Sequence, residues 1–457
     1  MKYTRVPVIG SKSFYPFILL FISCMMAASC GLIQGQKEEP VADSLHRIVL
    51  KSGTPIPNQQ RAYYQQVCTA WFDSSLGRTG FNGGMVIAKN GQILFEKYMG
   101  SEALDGKVPN TDSTSFHIAS VSKTFTAMAV LLLMQEGKLQ LDDLFSKYFP
   151  QFNYPDVTIR TLLNHRSGLP NYVYFMEKQG WDKQQFVQNK DVLDFLVRYH
   201  DVLENIAPAN RHFTYCNTNY ALLALLIEKL SGQSYSDFLT QHIFRPLGMR
   251  HTFVFDSTRR ASATASFDWR GRVIPLNYLD LVYGDKNIYS TPRDLLQWDQ
   301  LLYTQELFTD ATKEAAFTPY SNEKAGNRNY GLGWRMFLFP EGKKIIYHNG
   351  WWHGNNASLI RFVADSATVI ILGNRFNRHI YHGRDLAVLF KGYGAAQADE
   401  EGSADSSMNP DIQQAGSQKS SALQSSKPKS VQKILSRRKV VGHAGAIKKK
   451  PIHPKKR

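Results

Sequence analysis

Cysteine is scarce: four among 457 residues, with only Cys68 and Cys216 in the body of the chain. That excludes a disulfide-built scaffold, since such folds need several pairs. Cys-x-x-Cys and His-Glu-x-x-His are both absent, which leaves a metal site without support and calls for no metal or cofactor. The one Gly-x-Ser start of a nucleophile elbow, Gly232-Gln233-Ser234-Tyr235, lacks its second glycine because position 236 is serine. Beyond Gly394 there is no Phe, Tyr or Trp, so that segment cannot bury a core and reads as disordered. The apolar run over residues 14–26 is too short for a comfortable membrane span.

What is present is a globular composition, 43% hydrophobic and 12% aromatic. The net charge of +16 misleads, because residues 419–457 carry 13 Lys and Arg and no acid. Residues 394–418 just before them carry five acids and no base. The basic tail implies at most loose contact with polyanions, since it has no aromatic platform for bases.

Residues 1–29 read as an export signal: Lys2, Arg5 and Lys12, the apolar run, then Ala27-Ala28-Ser29. The following Cys30-Gly31 fits a lipoprotein signal with Cys30 acylated and the membrane as a partner; Ala27 and Ser29 also suit ordinary cleavage. Either way the chain is expected in a bacterial cell envelope, as a periplasmic or outer-membrane protein. Residues 30–57 read as a linker, 58–393 as one catalytic domain, and 394–457 as the tail.

Within that domain a helix is expected over 59–76, then two strands, 84–89 and 92–98, around the turn pair Asn90-Gly91. Ser234 and Thr291 each start a capping box, the second with Pro292 at the first helical position. Strands return over 344–347, 357–363 and 367–372, and a helix over 380–391 closes the domain. The pattern predicts an α/β (α+β) fold: a five-stranded antiparallel sheet flanked by helices, with a helical subdomain inserted between its two halves.

Three motifs carry the chemistry. Ser-x-x-Lys occurs at Ser120, Ser321, Ser426, Ser430 and Ser436, but only Ser120 follows an apolar approach and opens a helical run. A serine hydroxyl needs a group to take its proton, and Lys123 lies one helical turn away on the same face. A lysine serves as a base only where burial or nearby cations favour its neutral form. Tyr215-Cys216-Asn217 sits at a helix entrance, where the phenol could carry the proton and the Asn217 amide could meet substrate; capping by Asn217 or Thr218 is the plainer alternative. His348-Asn349-Gly350 follows a strand, and Gly350 either lets a substrate backbone lie along the edge or ends the strand. His165 reads as a structural histidine.

Together these motifs resemble the serine β-lactamase and penicillin-binding-protein superfamily, in the branch of class C β-lactamases, D,D-peptidases and β-lactamase-like esterases. Leu162–Pro170, Arg245–Thr252 and Tyr330–Trp334 extend the likeness across roughly residues 60–393. The resemblance implies a serine hydrolase with Ser120 as nucleophile, Lys123 and Tyr215 as its proton carriers, and Asn217 on the substrate amide. His348, Asn349 and Gly350 would line the substrate strand, and the backbone N–H of Ser120 and Trp351 would form the oxyanion hole. The expected partner is a small-molecule or peptide substrate: a D-amino-acid peptide, a small ester or a β-lactam. The protein is expected to act as a monomer. The alternative is a penicillin-binding sensor that acylates without turnover. Where penicillin-processing relatives place lysine and threonine, this chain has His348 and Asn349, so the site is expected to lack a guaranteed cation for a substrate carboxylate. Gly284-Asp285-Lys286-Asn287 replaces a glycine-rich loop.

Overall fold

The computed structural model describes residues 47–50, 53–203, 205–323, 325–390 and 393. The expected export signal, Cys30 and the expected tail lie outside the described residues. Asn90 and Gly91 both adopt left-handed backbone, φ 51° and 72°, the geometry a two-residue turn needs to match strand twist. That turn joins β1 (Gly83–Lys89) to β2 (Gln92–Met99), with Lys89 opposite Gln92. Five further strands come late in the chain: β3 (Arg328–Tyr330), β4 (Arg335–Leu338), β5 (Lys344–Trp352), β6 (Asn355–Phe362) and β7 (Ala367–Gly373). They join in the order β2-β1-β7-β6-β5-β4-β3, every neighbour antiparallel.

The sheet therefore has seven strands rather than the expected five. β3 and β4 are too short for a period-two pattern to be read, and the turn between them, Gly331 to Trp334, looks like plain loop. β5 also runs five residues past its expected end, so the third motif lies within a strand rather than after one.

Both sheet faces are covered, which is why its central strands read as continuous apolar runs. One face packs on α1 (Asn58–Ser75) and the closing helix Arg378–Leu389, which has 3₁₀ rather than α geometry, through Met85, Ile87, Ile345, Tyr347, Ile360 and Ile371. The other carries Val86, Ala88, Ile346, Leu359 and Ile370 against the helical subdomain. There α2 (Ser122–Gln135) is buried from Ser122 to Leu133, as a helix apolar on every side must be. α3 (Asn217–Ser231) packs across it and ends on Gly232 at φ 72°, the left-handed stop that glycine adopts without penalty. The caps form as expected: Ser234 Oγ accepts from the Asp237 N–H at 3.0 Å and Thr291 Oγ1 from that of Asp294 at 3.1 Å.

The expected linker is not loose throughout. Ile48 and Ile56 are buried, and the Ile48 N–H donates to the Pro246 carbonyl at 2.9 Å. Among the described residues no helix is long and apolar enough to cross a membrane.

Candidate active site

The position of Ser120 follows from a forced turn. Phe116–His117 pairs with Ile288–Ser290 in a small separate sheet, and the chain then reverses at Ala119, whose φ of 46° is costly for a residue with a Cβ. The Ala119 N–H donates to His117 Nδ1 at 3.1 Å, which holds the turn. Ser120 sits in this 3₁₀ turn, directly before α2. Lys123 is wholly buried; its Nζ donates to Ser120 Oγ at 3.1 Å and to the Asp285 carbonyl at 2.8 Å. The same nitrogen lies 4.9 Å from the Tyr215 ring centre and 5.6 Å from that of Tyr220.

Tyr215 is delivered by a loop that His165 organises. His165, at φ 57°, accepts the Thr214 N–H on its carbonyl at 2.8 Å and the Cys216 N–H on Nδ1 at 3.2 Å. Its ring lies 4.3 Å from that of Tyr215. Burial, and then the charges of Lys123 and Arg335, push His165 far below the ordinary imidazole pKa, so it is neutral. The structural reading of this histidine holds. Neither Asn217 nor Thr218 caps α3: Cys216 occupies that position without a side-chain bond, and Thr218 Oγ1 donates instead to the Pro170 carbonyl at 2.7 Å. Asn217 Oδ1 is buried with no hydrogen-bond partner among the described residues.

β5 brings the third motif against Ser120. A Cβ on Gly350 would lie 2.3 Å from the Ile118 carbonyl oxygen and 3.0 Å from Ser120 N; only glycine permits that approach. β4 pairs with β5 only over 344–347, so among the described residues no strand flanks that side of the motif. His348 is fully buried, its Nδ1 2.7 Å from the Asn349 carbonyl and its Nε2 3.3 Å from Tyr330 Oη. A carbonyl can only accept, so the proton is on Nδ1 and Nε2 accepts from the tyrosine. Burial first, then Arg335 and Lys123, drive its pKa well down: the expected neutral imidazole is what the site contains.

Asn349 departs from expectation. Strand alternation turns it to the opposite face with Ile345 and Tyr347, where its Oδ1 accepts from Ser358 Oγ at 2.8 Å. Its side chain is not brought to Ser120. Trp351 is half-buried and donates Nε1 to the His353 carbonyl at 2.7 Å, while Trp352 is buried with its Nε1 on Asp280. Tyr381 donates its hydroxyl to the Gly350 carbonyl at 2.9 Å from the other face.

The profile of the Beta-lactamase family matches residues 69–391. This chain belongs to that family. It is 36% identical over 311 residues to penicillin-binding protein 4* of Bacillus subtilis, a match covering 65% of this chain and 68% of that protein. The putative penicillin-binding protein PbpX of the same organism is 30% identical over 263 residues, 56% of this chain and 63% of PbpX. Among solved structures, a penicillin-binding protein from Bacillus halodurans superposes with a TM-score of 0.62 at 22% identity, over 71% of this chain and 99% of that one.

A cation that none of the three motifs includes stands beside Tyr215. Arg335, at the start of β4, holds its guanidinium carbon 4.9 Å from the Tyr215 ring centre and 5.9 Å from that of Tyr330. Sequence reading missed it, because one arginine in a four-residue strand carries no motif. Its place directly after the Tyr330–Trp334 block that carries the family likeness was the available signal. Asp285 and Lys286 were noted only as a departure, yet the Asp285 carbonyl touches Lys123.

Proposed function

We propose that this chain is an exported serine hydrolase of the β-lactamase and D,D-peptidase type, anchored by a lipid on Cys30. It forms an acyl-enzyme on Ser120 and cleaves an amide or ester whose acyl donor carries a nearby carboxylate. The observation that carries the reading is the buried Lys123 Nζ 3.1 Å from Ser120 Oγ, beside the Tyr215 ring and beneath the Gly350 approach.

In acylation, Ser120 Oγ bonds to the substrate carbonyl carbon while its proton passes to the Lys123–Tyr215 pair. The carbonyl oxygen takes negative charge, which the N–H groups of Ser120 and Trp351 receive; such donors contribute about 3–4 kcal/mol. The C–N or C–O bond then breaks, and the departing atom takes the proton from the pair. Water repeats the sequence on the ester, releasing the acid and restoring the serine.

Arg335 supports a carboxylate-bearing substrate over a neutral one, since a guanidinium offers a carboxylate two parallel donors. D-amino-acid peptides and penicillins share that carboxylate. The names of the relatives, penicillin-binding proteins, point the same way, as does a D-stereospecific amidohydrolase from Streptomyces sp. that matches in fold at a TM-score of 0.55 and 21% identity.

The test is intact-mass analysis after incubation with penicillin and, separately, a D-alanyl peptide. Wild type should gain one acyl adduct and lose it with time; Ser120→Ala should gain none. An adduct on Ser120→Ala would sink the assignment, and one that never leaves the wild type would favour a sensor.

A further inference from the structure

The site contains a second buried lysine that the acyl-enzyme scheme does not use. Lys286 is 2% exposed, one residue beyond the peptide that holds Lys123, in the loop that replaces the relatives' glycines. Its ammonium lies 3.6 Å from Asp285 Oδ2 and 3.2 Å from the Val282 carbonyl, and it also bonds the Tyr172 hydroxyl. The Tyr172 hydroxyl donates to Asp285 Oδ2 at 2.9 Å, and the Trp352 ring centre lies 4.7 Å from the ammonium. Asp285 is 1% exposed, and its Oδ1 has no hydrogen-bond partner among the described residues.

A buried ion pair contributes little net stability against an apolar replacement of the same volume, so stability alone is a poor account of this one. Its placement gives a better one. The carbonyl of Asp285 itself accepts Lys123 Nζ at 2.8 Å. The side chain of that residue is gripped by Tyr172 and Lys286, which fixes the peptide plane and hence the carbonyl's aim. The lysine also balances a carboxylate that would otherwise stand uncompensated close to the Lys123 amine.

We propose that Asp285, Lys286 and Tyr172 form a buried positioning set for Lys123: they aim the carbonyl that holds its amine, and their paired charges set how readily that amine gives up its proton. The inference rests on the proposed role of Lys123 as a proton carrier for Ser120. Burial pulls the Lys286 ammonium below its ordinary pKa while Asp285 opposes the pull. Facing Lys123 are Tyr215, Tyr220, His165, His348 and Cys216. Facing the pair are Tyr172, Asp280, His117 and Tyr235. Arg335 adds positive charge from β4 to the His165 and His348 surroundings. Apart from Tyr172 in its own variant, these groups are common to all the variants below, so differences between variants report the pair.

The experiment measures kcat/KM against pH for acylation by a chromogenic cephalosporin, with thermal melts alongside. Lys286→Met leaves the Asp285 carboxylate uncompensated and favours protonated Lys123. Its acid limb should move up by about one pH unit, a roughly tenfold loss on that limb. Asp285→Asn leaves the Lys286 cation alone, so its limb should move down. The double variant should return the limb close to the wild-type position while losing plateau rate, since the carbonyl is no longer aimed. If Lys286→Met does not fold, Tyr172→Phe keeps the ring and removes only the hydroxyl; its limb should move up, by less. Variants that lose rate or melting temperature with unmoved limbs would overturn the proposal and mark the set as structural. The acyl-enzyme reading fails separately, if Ser120→Ala still forms an adduct.

Discussion

At the scale of single residues, two positions decide whether the site works and on what. Gly350 is required for approach: an alanine Cβ would press to 2.3 Å from the Ile118 oxygen and force β5 away from Ser120 N. Gly350→Ala should lower kcat by about 10²–10³-fold, the typical loss of an oxyanion donor, with a native-like melt; steady-state kinetics check it. On the proposed reading, Arg335 sets selectivity. Arg335→Met removes a charge-assisted contact of about 1.5–3 kcal/mol, so kcat/KM for penicillin should fall by about 10–100-fold. Hydrolysis of an uncharged nitrophenyl ester should hold within about threefold. Equal losses on both substrates would mean that Arg335 only supports the Tyr215 ring. Ser120 and Lys123 were legible because their relation is local, one turn of one helix. Arg335 was not, because its relation to Tyr215 exists only once β4 is in place.

Among the elements, the loop that delivers Tyr215 is pinned rather than packed. Arg166 donates Nη1 to Glu323 Oε2 at 2.8 Å, and Glu323 Oε1 accepts the Phe213 N–H at 2.7 Å. Burial alone would raise the Glu323 pKa, yet the Arg166 bond and the Phe213 N–H hold it below the ordinary value. A depressed carboxyl contributes its stabilisation above its unfolded pKa, about 4.3, and loses it as pH falls through the folded value. Glu323→Gln should lower kcat by about tenfold through misplacement of Tyr215, and limited proteolysis should cut residues 205–216 sooner. Unchanged cleavage and rate would show that His165 alone holds the loop. No spacing rule links residues 166 and 323, so this clamp left no mark on the sequence, whereas the Asn90-Gly91 turn and the Ser234 and Thr291 caps did.

Across the whole molecule, three buried histidines make the fold acid-sensitive. His117 and His165 each accept a backbone N–H on Nδ1, and His348 accepts the Tyr330 hydroxyl on Nε2, so all three are held neutral. Burial drives His165 and His348 well below the ordinary value and pulls His117 down to about 4. An unfolded histidine takes its proton near pH 6.5. Stability is therefore full above about pH 6.5 and falls as the pH drops towards the folded values. Melting temperature should decline steadily from pH 7 to 4.5, and His117→Gln, which is not part of the proposed catalytic set, should flatten the decline. A flat profile in the wild type would contradict these neutral tautomers.

By itself the sequence determined what is local or repeated: the three motifs, the hairpin turn, the capped helices, and the split arrangement of strands around a helical insertion. These rest on spacing, and spacing survives without the fold. Tertiary structure alone decided the two added strands β3 and β4, the turning of Asn349 away from Ser120, the arginine over Tyr215 and the Asp285–Lys286 pair behind Lys123. Each depends on which face a side chain takes, or on a contact between distant segments. Both are fixed by strand register and packing, quantities that a string of residues does not contain.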